Sequence, residues 1–67
     1  MKPKSIHLLD RVALTVDIPQ YNLCQGQVGT VVEILANGAA FEVEFTDYRT
    51  GQTYESVGLR LEQIMVL

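Results

Sequence analysis

The sequence predicts an all-β domain, a small barrel or rolled sheet of five short strands, and three observations carry that prediction. Gly26-Gln27-Val28-Gly29-Thr30-Val31-Val32-Glu33-Ile34 opens a β-branched run with a pair of glycines. Phe41-Glu42-Val43-Glu44-Phe45 alternates apolar and acidic residues without a break, as a half-buried strand does. Between them lies Ala36-Asn37-Gly38-Ala39, and Asn-Gly between two strand-like runs is a strong signal for a type I′ hairpin.

Each element follows in order. Residues 1–5 are polar, contain Pro3 and read as a loose tail, which leaves 6–67 as a single domain. Leu8 to Val16 is predicted as the first strand, with Val12, Leu14 and Val16 on its buried parity and Arg11, Ala13 and Thr15 on the other. Asp17 to Gly26 has no period and is punctuated by Pro19 and Gly26, so it is a long connecting loop. Its Ile18, Tyr21 and Leu23 are too apolar for a solvated loop and are expected to fold back over one open end of the barrel. In the hairpin, a two-residue turn at Asn37-Gly38 pairs Ala36 with Ala39, and hence Ile34 with Phe41, Val32 with Val43 and Thr30 with Phe45. The large apolar side chains then share one face, and a one-residue slip would turn one strand's apolar set outward. Asp47 to Gln52 reads as a turn around Gly51, and Thr53 to Leu59 as a fourth strand interrupted by Gly58. Leu59 to Gln63 forms a short helical turn and Ile64 to Leu67 a fifth strand.

Size and composition bound the function. A chain of 67 residues holds one domain and buries only about 60% of its unfolded surface. The hydrophobic share is 48%, the net charge −3 and the estimated pI 4.8. An acidic domain has little long-range attraction for phosphate backbones, and the cations Lys2, Lys4, Arg11, Arg49 and Arg60 are scattered. Nucleic-acid binding is therefore disfavoured. The single cysteine, Cys24, allows neither an intrachain disulfide nor a zinc cluster and suits a reducing cytoplasm. The N-terminal stretch meets Asp10 and Arg11 before any long apolar run, unlike a signal peptide, and no stretch approaches the roughly 20 apolar residues of a membrane span.

Few residues are suited to chemistry. His7 is the only histidine and has no nucleophile near it in sequence. Cys24 has no cationic neighbour to favour its thiolate and is expected to be inert and partly buried. Gly26 and Gly29 are not followed by the lysine and helix of a phosphate loop; with Gly38 they are structural glycines, supporting a bulge, a close chain crossing or a turn. No catalytic group, cofactor site, metal site or small-molecule substrate is indicated. The acidic residues are more informative. The predicted register sets Glu33 opposite Glu42 on the outer face, with Glu44 one rung along opposite Val31, and like charges facing across strands are unfavourable. Val31 and Leu35 share that outer parity, Tyr48 and Tyr54 are placed at its border, and Met65 and Leu67 join it if the last strand exposes the same face. Val31, Glu33, Leu35, Glu42, Glu44, Tyr48 and Tyr54 are thus the candidate partner-contact residues.

Strand one, the long loop, the glycine-opened strand, the hairpin and the helical turn before a last strand together resemble an SH3-like barrel. Leu9-Asp10-Arg11-Val12-Ala13-Leu14, Asp17-Ile18-Pro19, Gly26-Gln27-Val28-Gly29-Thr30-Val31-Val32-Glu33, Phe41-Glu42-Val43-Glu44-Phe45 and Leu61-Glu62-Gln63-Ile64 resemble more closely a short bacterial domain-of-unknown-function family (family 4926). That resemblance spans nearly the whole chain and implies an SH3-like fold without an established activity. A weaker likeness, over about a third of the chain, is to the KOW element of ribosomal and transcription proteins, carried here by Gly26, Gly29, Val31 and Ile34. The flanking lysines and arginines usual in that element are missing, and Asp17 and Glu33 stand nearest instead. The expected function is a non-catalytic cytoplasmic module that binds a protein partner or itself, antitoxin-like by fold-level analogy. The alternative is a KOW-type RNA-binding module using Tyr48, Arg49, Tyr54 and Arg60.

Overall fold

The computed structural model describes residues 5–47 and 49–67, with the Tyr54 side chain outside the description. Five antiparallel strands make one sheet: β1 (Arg11–Leu14), β2 (Val28–Leu35), β3 (Ala40–Thr46), β4 (Thr53–Arg60) and β5 (Ile64–Val66). Their order across the sheet is β4-β3-β2-β1-β5. Short 3₁₀ turns occupy Pro19–Tyr21, Ala36–Gly38 and Leu61–Gln63. The all-β arrangement of five antiparallel strands with a short helical turn before the last strand is therefore the one found. Among the described residues hydrogen bonding does not close it into the expected barrel: β4 and β5 are the two edges of the sheet. Among the described residues no helix is long and apolar enough to cross a membrane.

The Asn37-Gly38 turn forms as its chemistry dictates. Asn37 has φ 56° and Gly38 φ 92°, the Ala39 N–H donates to the Ala36 carbonyl at 3.1 Å, and these are the features of a type I′ turn. From it the ladder runs Leu35–Ala40, Ile34–Phe41 and Glu33–Glu42 in the predicted register. There the agreement stops. A β-bulge at Val32 shifts the pairing, so Val31 lies opposite Val43 and Thr30 opposite Glu44. The expected Ala36–Ala39 strand pair, with Ala36 at φ 49° inside the turn, and the expected Val32–Val43 and Thr30–Phe45 pairs do not form. Val31, expected outside, is fully buried at 0% exposure, while Val32 is 39% exposed. Ile34 stays on the core side of the ladder, opposite Phe41, but at its open end, where it is 42% exposed.

Gly29 gives the physical reason for the shift. A Cβ there would stand 2.6 Å from Val43 Cγ1 and 3.0 Å from both Phe45 Cδ1 and the Glu44 carbonyl oxygen. The fully buried Phe45 ring packs against bare backbone, and a threonine in its place could not be accommodated. The bulge absorbs the one-residue difference between this packing and the register that the turn imposes.

The first strand is shorter than predicted. Leu8 to Asp10 is a turn: the Asp10 N–H donates to the His7 carbonyl at 3.2 Å and the His7 N–H to Asp10 Oδ2 at 2.9 Å. Beyond Leu14 the chain leaves the sheet, so Val16 is exposed. The long loop does fold back. Ile18 and Leu23 bridge through paired backbone bonds of 2.9 and 3.1 Å, and both are buried, whereas Tyr21 remains exposed. They join Val12, Leu14, Val31, Phe41, Val43, Phe45, Val57, Leu59 and Ile64 in one core.

Candidate interaction face

Strand alternation that sends Phe41, Val43 and Phe45 inward sends Glu42 and Glu44 outward. β2 and β4 flank them and add their own outward residues. Glu33 lies directly opposite Glu42, and Gly58 lies opposite Glu42 on the other side. Leu35 sits opposite Ala40, which in turn faces Arg60. A Cβ at Gly58 would lie 3.6 Å from Glu42 Oε1 and 3.7 Å from Leu35 Cδ1, so both side chains lean over the bare backbone of that glycine. Ser56 Oγ donates to Glu42 Oε2 at 2.7 Å, across the diagonal of the β3–β4 ladder.

The result is a shallow face with Glu33 exposed, Glu42, Glu44 and Leu35 half-buried, and Gly58 as its floor. Glu33, Leu35, Glu42 and Glu44 are brought together on one side, as the parity of the sequence indicated. Glu44 stands opposite Thr30 rather than Val31, a consequence of the bulge. Val31 is removed from the set because it is a core residue. Tyr48 and the Tyr54 side chain, the expected border of the face, lie outside the described residues. The cation nearest this face along the ladder, Arg60, is engaged with Glu62, Nε to Oε1 at 3.2 Å. Arg49 is tied to Asp47, Nε to Oδ1 at 3.5 Å, in the β3–β4 turn.

The remaining candidates stand apart. His7 is exposed, with Nδ1 3.8 Å from Asp10 Oδ2. Cys24 is exposed, not partly buried as expected; the loop turns it outward because its backbone N–H is held by Gln27 Oε1 at 2.6 Å and the neighbouring Leu23 takes the inward position. Gly26, at φ +90° with open space around it, serves the turn into β2. Among the described residues no three His, Cys, Asp or Glu side chains gather to hold a metal ion.

Sequence reasoning missed a second outward surface. Ala13 pairs with Val28 on one side and Met65 on the other, so the three share an outer rung of β2, β1 and β5. Ala13 is only 5% exposed there, shielded between its neighbours, while Met65 is 54% exposed. The signal was present in the apolar Ile64-Met65-Val66-Leu67 run, but its neighbours could be identified only once β1 was seen between β2 and β5.

Residues 8–66 match a family model described as Domain of unknown function (DUF4926). No curated protein and no solved structure matches the chain.

Proposed function

The chain belongs to the DUF4926 family, and from the geometry of its sheet we propose that it is a non-catalytic binding module that docks a protein with a basic surface onto the outer face of β2, β3 and β4. The observation that carries this is the rung Glu33–Glu42 with Glu44 beside it. Like charges opposed across a ladder weaken a sheet by a few tenths up to about 1 kcal/mol. A partner that brings cations turns this cost into binding energy and speeds its own encounter with an acidic domain. Leu35 and the open floor at Gly58 give such a partner an apolar foothold within the charged face. An acidic sheet also repels phosphate backbones, so a protein partner fits this face better than RNA.

Affinity capture from native lysate, with wild type and a Glu33→Lys/Glu44→Lys variant as baits, tests the reading. A basic protein retained by wild type, released by salt and lost to the variant is the expected result. Equal capture by the two baits, or salt-sensitive retention of RNA by wild type, would overturn it.

A further inference from the structure

The two edges of the sheet are built differently. β4 is long, carries Glu55 and Arg60, and its ladder with β3 is irregular at Phe45/Thr46. Charges and irregularities of that kind keep an edge from pairing with another chain. β5 has neither. Ile64, Met65 and Val66 are followed by Leu67, so no charge, proline or glycine interrupts the edge.

The hydrogen-bond pattern fixes which backbone groups that edge offers. The Leu67 N–H donates to the Arg11 carbonyl at 3.0 Å and the Thr15 N–H to the Gln63 carbonyl at 2.9 Å. In an antiparallel ladder such pairs alternate, so odd-numbered residues of β5 bond to β1 and the polar groups of Ile64 and Val66 point away from the sheet. The Ile64 N–H is taken by the Leu61 carbonyl. The Ile64 carbonyl and both polar groups of Val66 are left facing outward.

We infer that β5 is the seam of a symmetric dimer in which it pairs antiparallel with β5 of a second copy, about a two-fold axis at Met65. This goes beyond the docking reading above and uses a different surface. About that axis the Val66 N–H of each copy donates to the Ile64 carbonyl of the other, and the reciprocal bond makes the contact isologous. Met65 faces its own counterpart across the axis, as a non-hydrogen-bonded pair with the closer side-chain approach. The Val28–Ala13–Met65 rung then continues into the same rung of the second copy as one apolar ridge. Electrostatics favour a second copy as the occupant. Each chain carries a formal net charge of −3, yet no side chain from Ile64 to Leu67 is charged. Glu33, Glu42 and Glu44 lie on β2 and β3, on the far side of β1, and Glu62 is paired with Arg60. Self-pairing through β5 thus buries apolar surface without setting charged side chains of the two strands against each other.

Sedimentation of the purified chain across a concentration series tests this without any foreign partner, so its outcome is independent of the lysate experiment. Wild type is expected to pass from monomer to dimer with rising concentration. Met65→Lys, at an exposed position, is expected to remain monomeric with an unchanged far-ultraviolet circular dichroism spectrum, and Leu67→Asp provides a second disruptor should Met65→Lys alter that spectrum. Val32→Lys, at an exposed apolar residue away from the seam, is expected to dimerise as wild type does. A wild type that stays monomeric throughout, or a dimer that survives a folded seam variant, would overturn the proposal.

Discussion

The two halves of the sheet on either side of β2 solve the same problem differently. Toward β3 and β4, the strands are seven and eight residues long, the hairpin turn is dictated by Asn37-Gly38, and the outer surface is acidic. Toward β1 and β5, the strands are four and three residues long, the connection is a long loop, and the outer surface carries the apolar Val28–Ala13–Met65 rung beside the exposed Arg11. The first half ends in an edge strand that carries Glu55 and Arg60; the second ends in one without a charged side chain. The carboxylates of Glu33, Glu42 and Glu44 thus gather on one half of this small domain, while both halves draw on one shared interior. Gly29 is where they join, since it pairs with Val12 of β1 and lies under Phe45 of β3.

The most severe way to break the comparison is at the shared interior. Phe45→Ala is expected to cost about 3–5 kcal/mol, enough to unfold much of a domain this small, and urea denaturation reads it directly. A smaller loss would mean that the halves do not depend on one another. Gly29→Ala is next. The added methyl meets backbone as well as side chains, and overpacking of that kind costs about 1–3 kcal/mol. Gly58→Ala in the acidic half meets only ordinary contacts and is expected to change stability by no more than about 0.5 kcal/mol. Equal effects of the two substitutions in chemical denaturation would remove Gly29 from its place at the junction.

Leu9 sharpens the comparison from the β1 side. It sits exposed at φ 72°, a left-handed conformation that costs a side-chain-bearing residue roughly 1–2 kcal/mol. Leu9→Gly relieves this at some cost in unfolded-chain entropy and is expected to raise stability by up to about 1 kcal/mol in thermal melts. The smallest effect belongs to the acidic half. Glu33→Gln removes one member of the opposed pair and is expected to stabilise the isolated chain by about 0.2–1 kcal/mol, while weakening retention of a basic partner. A variant that loses stability instead would show that Glu33 contributes something other than repulsion.

Much of the β3–β4 half was legible in the sequence because its signals are local. The Asn-Gly turn, the alternation from Phe41 to Phe45 and the outward placement of Leu35, Glu33, Glu42 and Glu44 follow from period and turn chemistry alone. The bulge at Val32 was not legible, because strict alternation has no means of counting an extra residue, and its cause is Phe45 packing on Gly29 across the ladder. That same contact decides that Val31 is core and not surface. On the other half, Ile18 and Leu23 betrayed the folded-back loop by being too apolar for solvent. The turn at Leu8–Asp10 was hidden, because neither leucine is a residue that left-handed turns favour. The Val28–Ala13–Met65 rung joins three distant segments and carries no periodic trace.

Residue-resolved amide hydrogen exchange, measured on the intact chain at low and high protein concentration, tests most directly whether one half is complete in itself and the other is completed by a second copy. The account predicts that the Val43 and Phe45 amides are strongly protected at both concentrations, whereas the Val66 amide exchanges freely when dilute and becomes protected when concentrated. Protection of Val66 that does not change with concentration, or free exchange at Val43 and Phe45, would contradict it.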